Sequence, residues 1–273
     1  MSFGKCLENV RAACPLIHNI TNYVTVNDVA NILLACGGSP IMADCPDEAE
    51  DIQTICGGLN INIGTLNAAT IPAMLLAGKK ANALGHPAVL DPVGAGASRL
   101  RTDTALKLLS EIRFQAVRGN MSEIKALESG GSARGVDADV ADKVTEENLQ
   151  AAAGFVRSFA KKHGCVAAVT GAIDLVTDGG ACYVLRGGRP EMGLITGTGC
   201  QLSALTAAYI TANPGNTLEA AAAAVCLMGL AGELGFKSML PGDGNSTYRN
   251  RIIDAVYNMD AAALDGEAKF EII

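Results

Sequence analysis

The feature that most constrains this chain is a rhythm. Short β-type runs ending in Gly, Asp or Thr alternate with longer segments of helical period. Residues 40–43, 59–63, 88–91, 116–117 and 165–170 are the candidate strands. Between them, residues 26–36, 47–56, 68–84, 103–112 and 146–163 have the length and spacing of helices. Strand, helix, strand in this order gives right-handed βαβ crossovers, and so a largely parallel sheet covered on both faces. The pattern then changes. Residues 174–177 and 181–186, joined by Asp178-Gly179-Gly180, read as a hairpin with a primed turn, so the sheet is expected to finish antiparallel. Two long Ala-rich helices follow, near residues 200–212 and 218–234.

The fold class is therefore α/β. The 273 residues show no repeat of solenoid length and no Pro/Ser-rich linker, so residues 1–273 read as one domain. The most polar interruption, residues 129–142, reads as a surface excursion. The formal net charge of −7 and the lack of a Lys/Arg cluster argue against nucleic acid as a partner. Lys79-Lys80 and Lys161-Lys162 are only pairs, each expected at the solvated C-terminal end of a helix. The nine cysteines form no C-x-x-C pair and no zinc-type spacing, which points to reduced thiols in the cytosol. No signal-type stretch follows Met1, and the Ala-rich run 220–226 is too short to cross a bilayer, so no membrane partner is expected.

Ligands of open α/β sheets sit beyond the carboxyl ends of the strands. There the sequence places Met42-Ala43-Asp44, Gly64-Thr65, Asp91-Pro92-Val93-Gly94, Arg118-Gly119-Asn120 and Thr170-Gly171. The sharpest motif is Ile195-Thr196-Gly197-Thr198-Gly199-Cys200, a Gly-rich turn running into an apolar helix. Its backbone N–H groups and the helix N-terminus suit a phosphoryl group, although glycines also serve a merely tight loop. Cys200 falls in the first helical turn, where the dipole favours thiolate; the alternative is a small buried hydrophobe. Asp91 stands before a flexible loop, either to hold hydrated Mg²⁺ or to form an Asx turn. Asn120 and Glu123 fit a capping box, and Glu123 can also orient metal-bound water. Arg118 is a natural clamp on phosphate oxygens, with a surface ion pair as the alternative.

Residues 17–24, rich in short polar side chains, have no hydrophobic period. They read as an ordinary loop or as a lid whose Asn22 bonds a ring nitrogen. His18, His86 and His163 lie far apart and join no Ser or Cys motif, which gives a hydrolase triad little support. Neither a P-loop nor a G-x-G-x-x-G fingerprint is present.

Taken in order, residues 15–24, 40–43, 62–65, 90–97, 117–123, 169–171 and 196–201 resemble the hydroxyethylthiazole kinases of the ribokinase-like superfamily. The resemblance implies a three-layer α/β/α fold and a cytoplasmic homotrimer with its pocket between subunits. It also implies transfer from Mg-ATP to the hydroxyl of 4-methyl-5-(2-hydroxyethyl)thiazole, a step toward thiamine. Residue by residue, it makes Arg118 and Thr170 ATP contacts, and Asn22, Val24, Met42 and Gly197 thiazole contacts. Asp91 and Glu123 would manage Mg²⁺, and the turn Gly197, Thr198, Gly199 would stabilise the transferring phosphoryl. Cys200 stands where the wider superfamily usually has an aspartate base. Rival readings are a hydroxymethylpyrimidine kinase, a nucleotide-dependent dehydratase of hydrated nicotinamide cofactors, and a non-catalytic ligand-binding relative.

Overall fold

The computed structural model describes residues 1–130 and 143–273. A nine-stranded sheet runs through it in the order β2-β1-β3-β4-β5-β6-β7-β8-β9. The parallel part comprises β1 (Leu16–Ile20), β2 (Ser39–Met42), β3 (Gly58–Asn62), β4 (Ala88–Asp91), β5 (Ala116–Gly119) and β6 (Val166–Val169). It closes antiparallel with β7 (Asp174–Thr177), β8 (Cys182–Leu185) and β9 (Phe270–Ile272). Helices cover both faces, as continuous apolar strands require. On one face lie α1 (Phe3–Ala13), α2 (Val26–Cys36), α8 (Thr198–Ala212), α9 (Thr217–Lys237), α10 (Asn245–Asn258) and α11 (Ala261–Glu267). On the other lie α3 (Ala49–Ile55), α4 (Thr70–Leu84), α5 (Arg99–Glu111), α6 (Met121–Glu128) and α7 (Leu149–His163).

Side-chain alternation along the strands divides the core. In β4, Val89 faces the α8 layer while Ala88 and Leu90 face the α4 layer; in β6, Val166 and Ala168 oppose Ala167 and Val169. This is the expected three-layer α/β/α arrangement.

Several expectations need correction. The stretch read as loop or lid begins with β1, a strand in the sheet's interior. Its polar residues hid it: His18 and Asn19 are buried, and each is satisfied inside the sheet layer. His18 Nε2 meets the Ala43 carbonyl at 2.8 Å, and Asn60 Nδ2 donates to Asn19 Oδ1 at 3.0 Å. The hairpin is real, but its connection is a four-residue loop, since Thr177 pairs with Cys182. Of that loop's glycines only Gly179 has positive φ, so the loop is not a two-residue primed turn. Lys79 sits more than a turn before the end of α4 and pairs with Glu111 instead of capping. Lys161 and Lys162 do end α7, as expected. The apolar run 220–226 belongs to α9, whose 21 residues are long and apolar enough to cross a membrane by length and composition. Here it is a core helix, with 78% of that window buried inside the protein. The excursion at 129–142 lies, from residue 131, outside the described residues.

All nine cysteines are free thiols; Cys14 and Cys45 are exposed and the others buried.

Candidate active site

The cleft opens at the carboxyl ends of β1, β3, β4 and β5, where the chain leaves each strand for the next helix. Its floor is the start of α8. Gly197, left-handed at φ +91, caps this helix, and Thr198, Gly199 and Cys200 form its first turn. Almost every residue of α8 from Cys200 to Ile210 is buried, so its N-terminus is fixed by packing on all sides. The Arg118 guanidinium, from the end of β5, lies directly against Gly199. A Cβ at position 199 would overlap its Nη atoms, so only glycine admits this approach. Arg118 is 12% exposed, its Nη2 donates to Thr170 Oγ1, and its Nε has no partner among the described residues. Cation and free N–H groups thus converge where an anion would sit.

Beneath them lies Asp91, fully buried at the end of β4. Its Oδ2 accepts from Asn62 Nδ2 at 2.9 Å and Ser203 Oγ at 2.7 Å, and stands 3.7 Å from Arg118 Nη1. Its Oδ1 is buried without a partner among the described residues. Burial pushes the Asp91 carboxyl above the ordinary carboxylate range, against the pull of Arg118, Ser203 and Asn62. Glu123 completes the capping box on α6: its Oε2 accepts from Asn120 N at 2.8 Å, and Asn120 Oδ1 accepts from Glu123 N at 2.8 Å. Its Oε1 accepts from Gly94 N at 2.9 Å, which anchors the loop after β4. Burial, then the nearby Asp91 charge, raises the Glu123 carboxyl as well. The capping reading of Glu123 holds, and the same side chain also lines the cleft.

On the far side, Asn22 is buried and wholly committed. Its Nδ2 donates to Asn62 Oδ1 at 3.0 Å and Cys200 Sγ at 3.2 Å; its Oδ1 accepts from Thr25 N at 3.1 Å and Thr25 Oγ1 at 3.0 Å. No amide hydrogen remains for a ring nitrogen. At Cys200, burial, then the Asp91 charge, pushes the thiol up against the pull of Thr25, Arg118 and Asn22, which favours the buried-thiol alternative over the thiolate.

Asn22, Val24, Arg118, Glu123, Gly197, Gly199 and Cys200 line one cleft of about 310 Å³. Asp91 lies below it, and Thr170 adjoins it through Arg118. Met42, half-buried at the end of β2, is not in its lining. Sequence reasoning missed Asn62 and Ser203 as site residues. Ser203 follows Gly199 by four positions and so shares its helix face, a spacing that could have exposed it. The separated histidines also meet in part, since Gln53 bridges His18 and His86, and neither histidine lines this cleft.

A helix N-terminus with an arginine against it and a buried carboxylate beneath, on a three-layer α/β/α sheet, is the arrangement of the small-molecule kinases of ribokinase-like fold. The pyridoxal kinase from Staphylococcus aureus in complex with ADP shares that fold, with a TM-score of 0.61 at 15% identity over 94% of this chain and 97% of its own. Closer likeness is specific. The model of the hydroxyethylthiazole kinase family matches residues 7–262. A hydroxyethylthiazole kinase from Clostridium acetobutylicum is 60% identical over 266 residues, 97% of either chain. The structure of the Pyrococcus horikoshii OT3 hydroxyethylthiazole kinase superposes with a TM-score of 0.88 at 33% identity, covering 99% of this chain and 98% of its own. The chain belongs to the hydroxyethylthiazole kinase family.

Proposed function

We propose that the protein transfers the γ-phosphoryl of ATP to the hydroxyl of 4-methyl-5-(2-hydroxyethyl)thiazole, feeding thiamine synthesis or salvage from the cytoplasm. The observation that carries this reading is the Arg118 guanidinium seated against Gly199 above the buried Asp91. A fixed positive charge and backbone donors there would meet the charge that a transferring phosphoryl develops, which is usually the largest single catalytic term in such sites.

In this reading Arg118 and Thr170 hold the nucleotide's phosphates, and the first turn of α8, from Gly197 through Thr198 and Gly199, receives the moving group. Asp91 and Glu123 fit Mg²⁺. The orphan Asp91 Oδ1 remains for a metal-bound water, and two carboxylates suit an ion that keeps waters and phosphate oxygens as its other ligands. Bound there, Mg²⁺ would neutralise phosphate charge. Burial raises the Cys200 thiol, which disfavours the thiolate that a base would need. A loose phosphoryl-transfer transition state needs little base catalysis, and positioning by Asn22 and Cys200 suffices. Asn22 shapes the acceptor wall through Cys200 and Thr25, rather than by touching a ring nitrogen.

Val24 and Tyr23 are 57% and 78% exposed at the cleft mouth, and Met42 stands on edge strand β2. Exposed apolar groups at an incomplete pocket support a homotrimer in which a neighbouring subunit closes the thiazole site. Light scattering checks the mass. The decisive assay follows ADP release from Mg-ATP with hydroxyethylthiazole, hydroxymethylpyrimidine or no acceptor, with mass analysis of the product. Thiazole-dependent release with a phosphorylated alcohol is expected. Release with pyrimidine alone, or silence with thiazole, would overturn the substrate assignment.

A further inference from the structure

Beyond one backbone bond at the strand ends, Ile63 N donating to the Asp91 carbonyl at 3.2 Å, no backbone hydrogen bond among the described residues links the loops after β3 and β4, which meet at the cleft. A side chain joins them. Ser98 caps α5, its Oγ accepting from Arg101 N at 3.3 Å, and this sets Arg101 in the first helical turn beside both loops. Arg101 Nη2 donates to the Gly64 carbonyl at 2.7 Å, and Nη1 to the Val93 carbonyl at 3.2 Å. Among the described residues the guanidinium has no carboxylate partner, so its hydrogen bonds are spent on main chain. Gly94, at φ +74, lies flat beneath it, and a Cβ there would overlap Nη1. Positive φ alone calls for glycine at 94, and the missing Cβ leaves room for the guanidinium.

Each clamped loop carries a cleft wall. Gly64 N donates to Asn62 Oδ1, which also accepts from Asn22. Gly94 N donates to Glu123 Oε1. We propose that Arg101 is a positioning residue that holds the acceptor wall, through Gly64, in register with the Glu123 wall, through Gly94, so that both reacting partners are aligned by one side chain. The catalytic half of this inference rests on the kinase reading above; the mechanical half does not.

The test compares wild type, Arg101→Ala and Arg101→Lys. Hydrogen exchange of the unliganded protein reads the Gly64 and Gly94 amides. Both should exchange at least about tenfold faster in Arg101→Ala, the loss expected when a charge-assisted hydrogen bond is removed. At saturating substrates kcat should fall by about the same factor. Arg101→Lys, whose single nitrogen cannot place two separated donors as the planar guanidinium does, should recover only part, and free guanidinium below denaturing concentration should restore Arg101→Ala. If Arg101→Ala does not fold, Arg101→Lys carries the same readings with smaller changes. Loosening of one amide alone, or of both with unchanged kcat, would overturn the proposal. A wild-type protein inactive on the thiazole alcohol would instead condemn the functional reading, while the exchange data still judge the clamp.

Discussion

The two walls of the cleft are built on opposite terms. On the acceptor side, Asn22, Asn62 and Thr25 spend their polar atoms on one another and on Cys200 and Asp91, so the wall is rigid before any ligand arrives. On the side proposed for the phosphates, Asp91 Oδ1 and Arg118 Nε are buried without hydrogen-bond partners among the described residues. Unpaired buried polar atoms cost free energy, and native proteins tolerate them where a ligand supplies the missing bond. The contrast separates residues that hold shape from residues kept open for chemistry.

The largest effect expected from breaking this comparison is on Arg118. Arg118→Ala should lower kcat by about 10²–10³, the usual loss for one preorganised charge-stabilising donor. Acceptor binding, followed by calorimetry without nucleotide, should stay unchanged; weakened acceptor binding would mean that the two walls are not separable. Asn62→Ala should act first on folding. It strands Asn22, Asp91 and Gly64 N together, and urea unfolding should show a loss of roughly 2–4 kcal/mol. A stable variant with normal kcat would dissolve the idea of a rigid wall. Cys200→Ala should slow turnover by less than about a hundredfold, the lower bound for losing a general base, and Cys200→Asp should retain or improve it. Abolished turnover in Cys200→Ala with normal ATP binding would restore the thiol as indispensable.

The smallest effect concerns Asp174, whose Oδ1 accepts from Gly171 N at 2.8 Å in the turn after Thr170. Burial raises this carboxyl to about 7. A raised acid stabilises the fold fully below its unfolded pKa of about 4 and loses that contribution as pH rises through about 7. The stability difference between wild type and Asp174→Asn should therefore shift against wild type as pH climbs across that window. A difference flat with pH would show the group to be ordinary.

Much of this was legible in the sequence because parallel strands buried on both faces read as apolar runs, and β4 and β7 were delimited residue for residue. Site residues were legible for a related reason: the fold places the ends of those strands at the cleft, so Asp91, Arg118, Thr170 and the α8 turn declare themselves by position. β1 escaped because its buried polar groups are satisfied by partners distant in sequence, Ala43 for His18 and Asn60 for Asn19, which no local pattern can show. β9 escaped because it is three residues long and exposed. For Cys200 the sequence left thiolate and buried thiol both open, because helix position was visible and burial beside Asp91 was not.

The distribution of the thiols gives the molecule an internal reporter of its own unfolding. A brief pulse of an alkylating reagent should add two labels to the native chain, at Cys14 and Cys45, and nine once the fold opens. The mass ladder between those limits would resolve which layer comes apart first: Cys165 and Cys182 pack with the α4 layer, while Cys6, Cys36 and Cys226 pack with the α8 layer. Cys200 would mark the moment the cleft floor itself gives way.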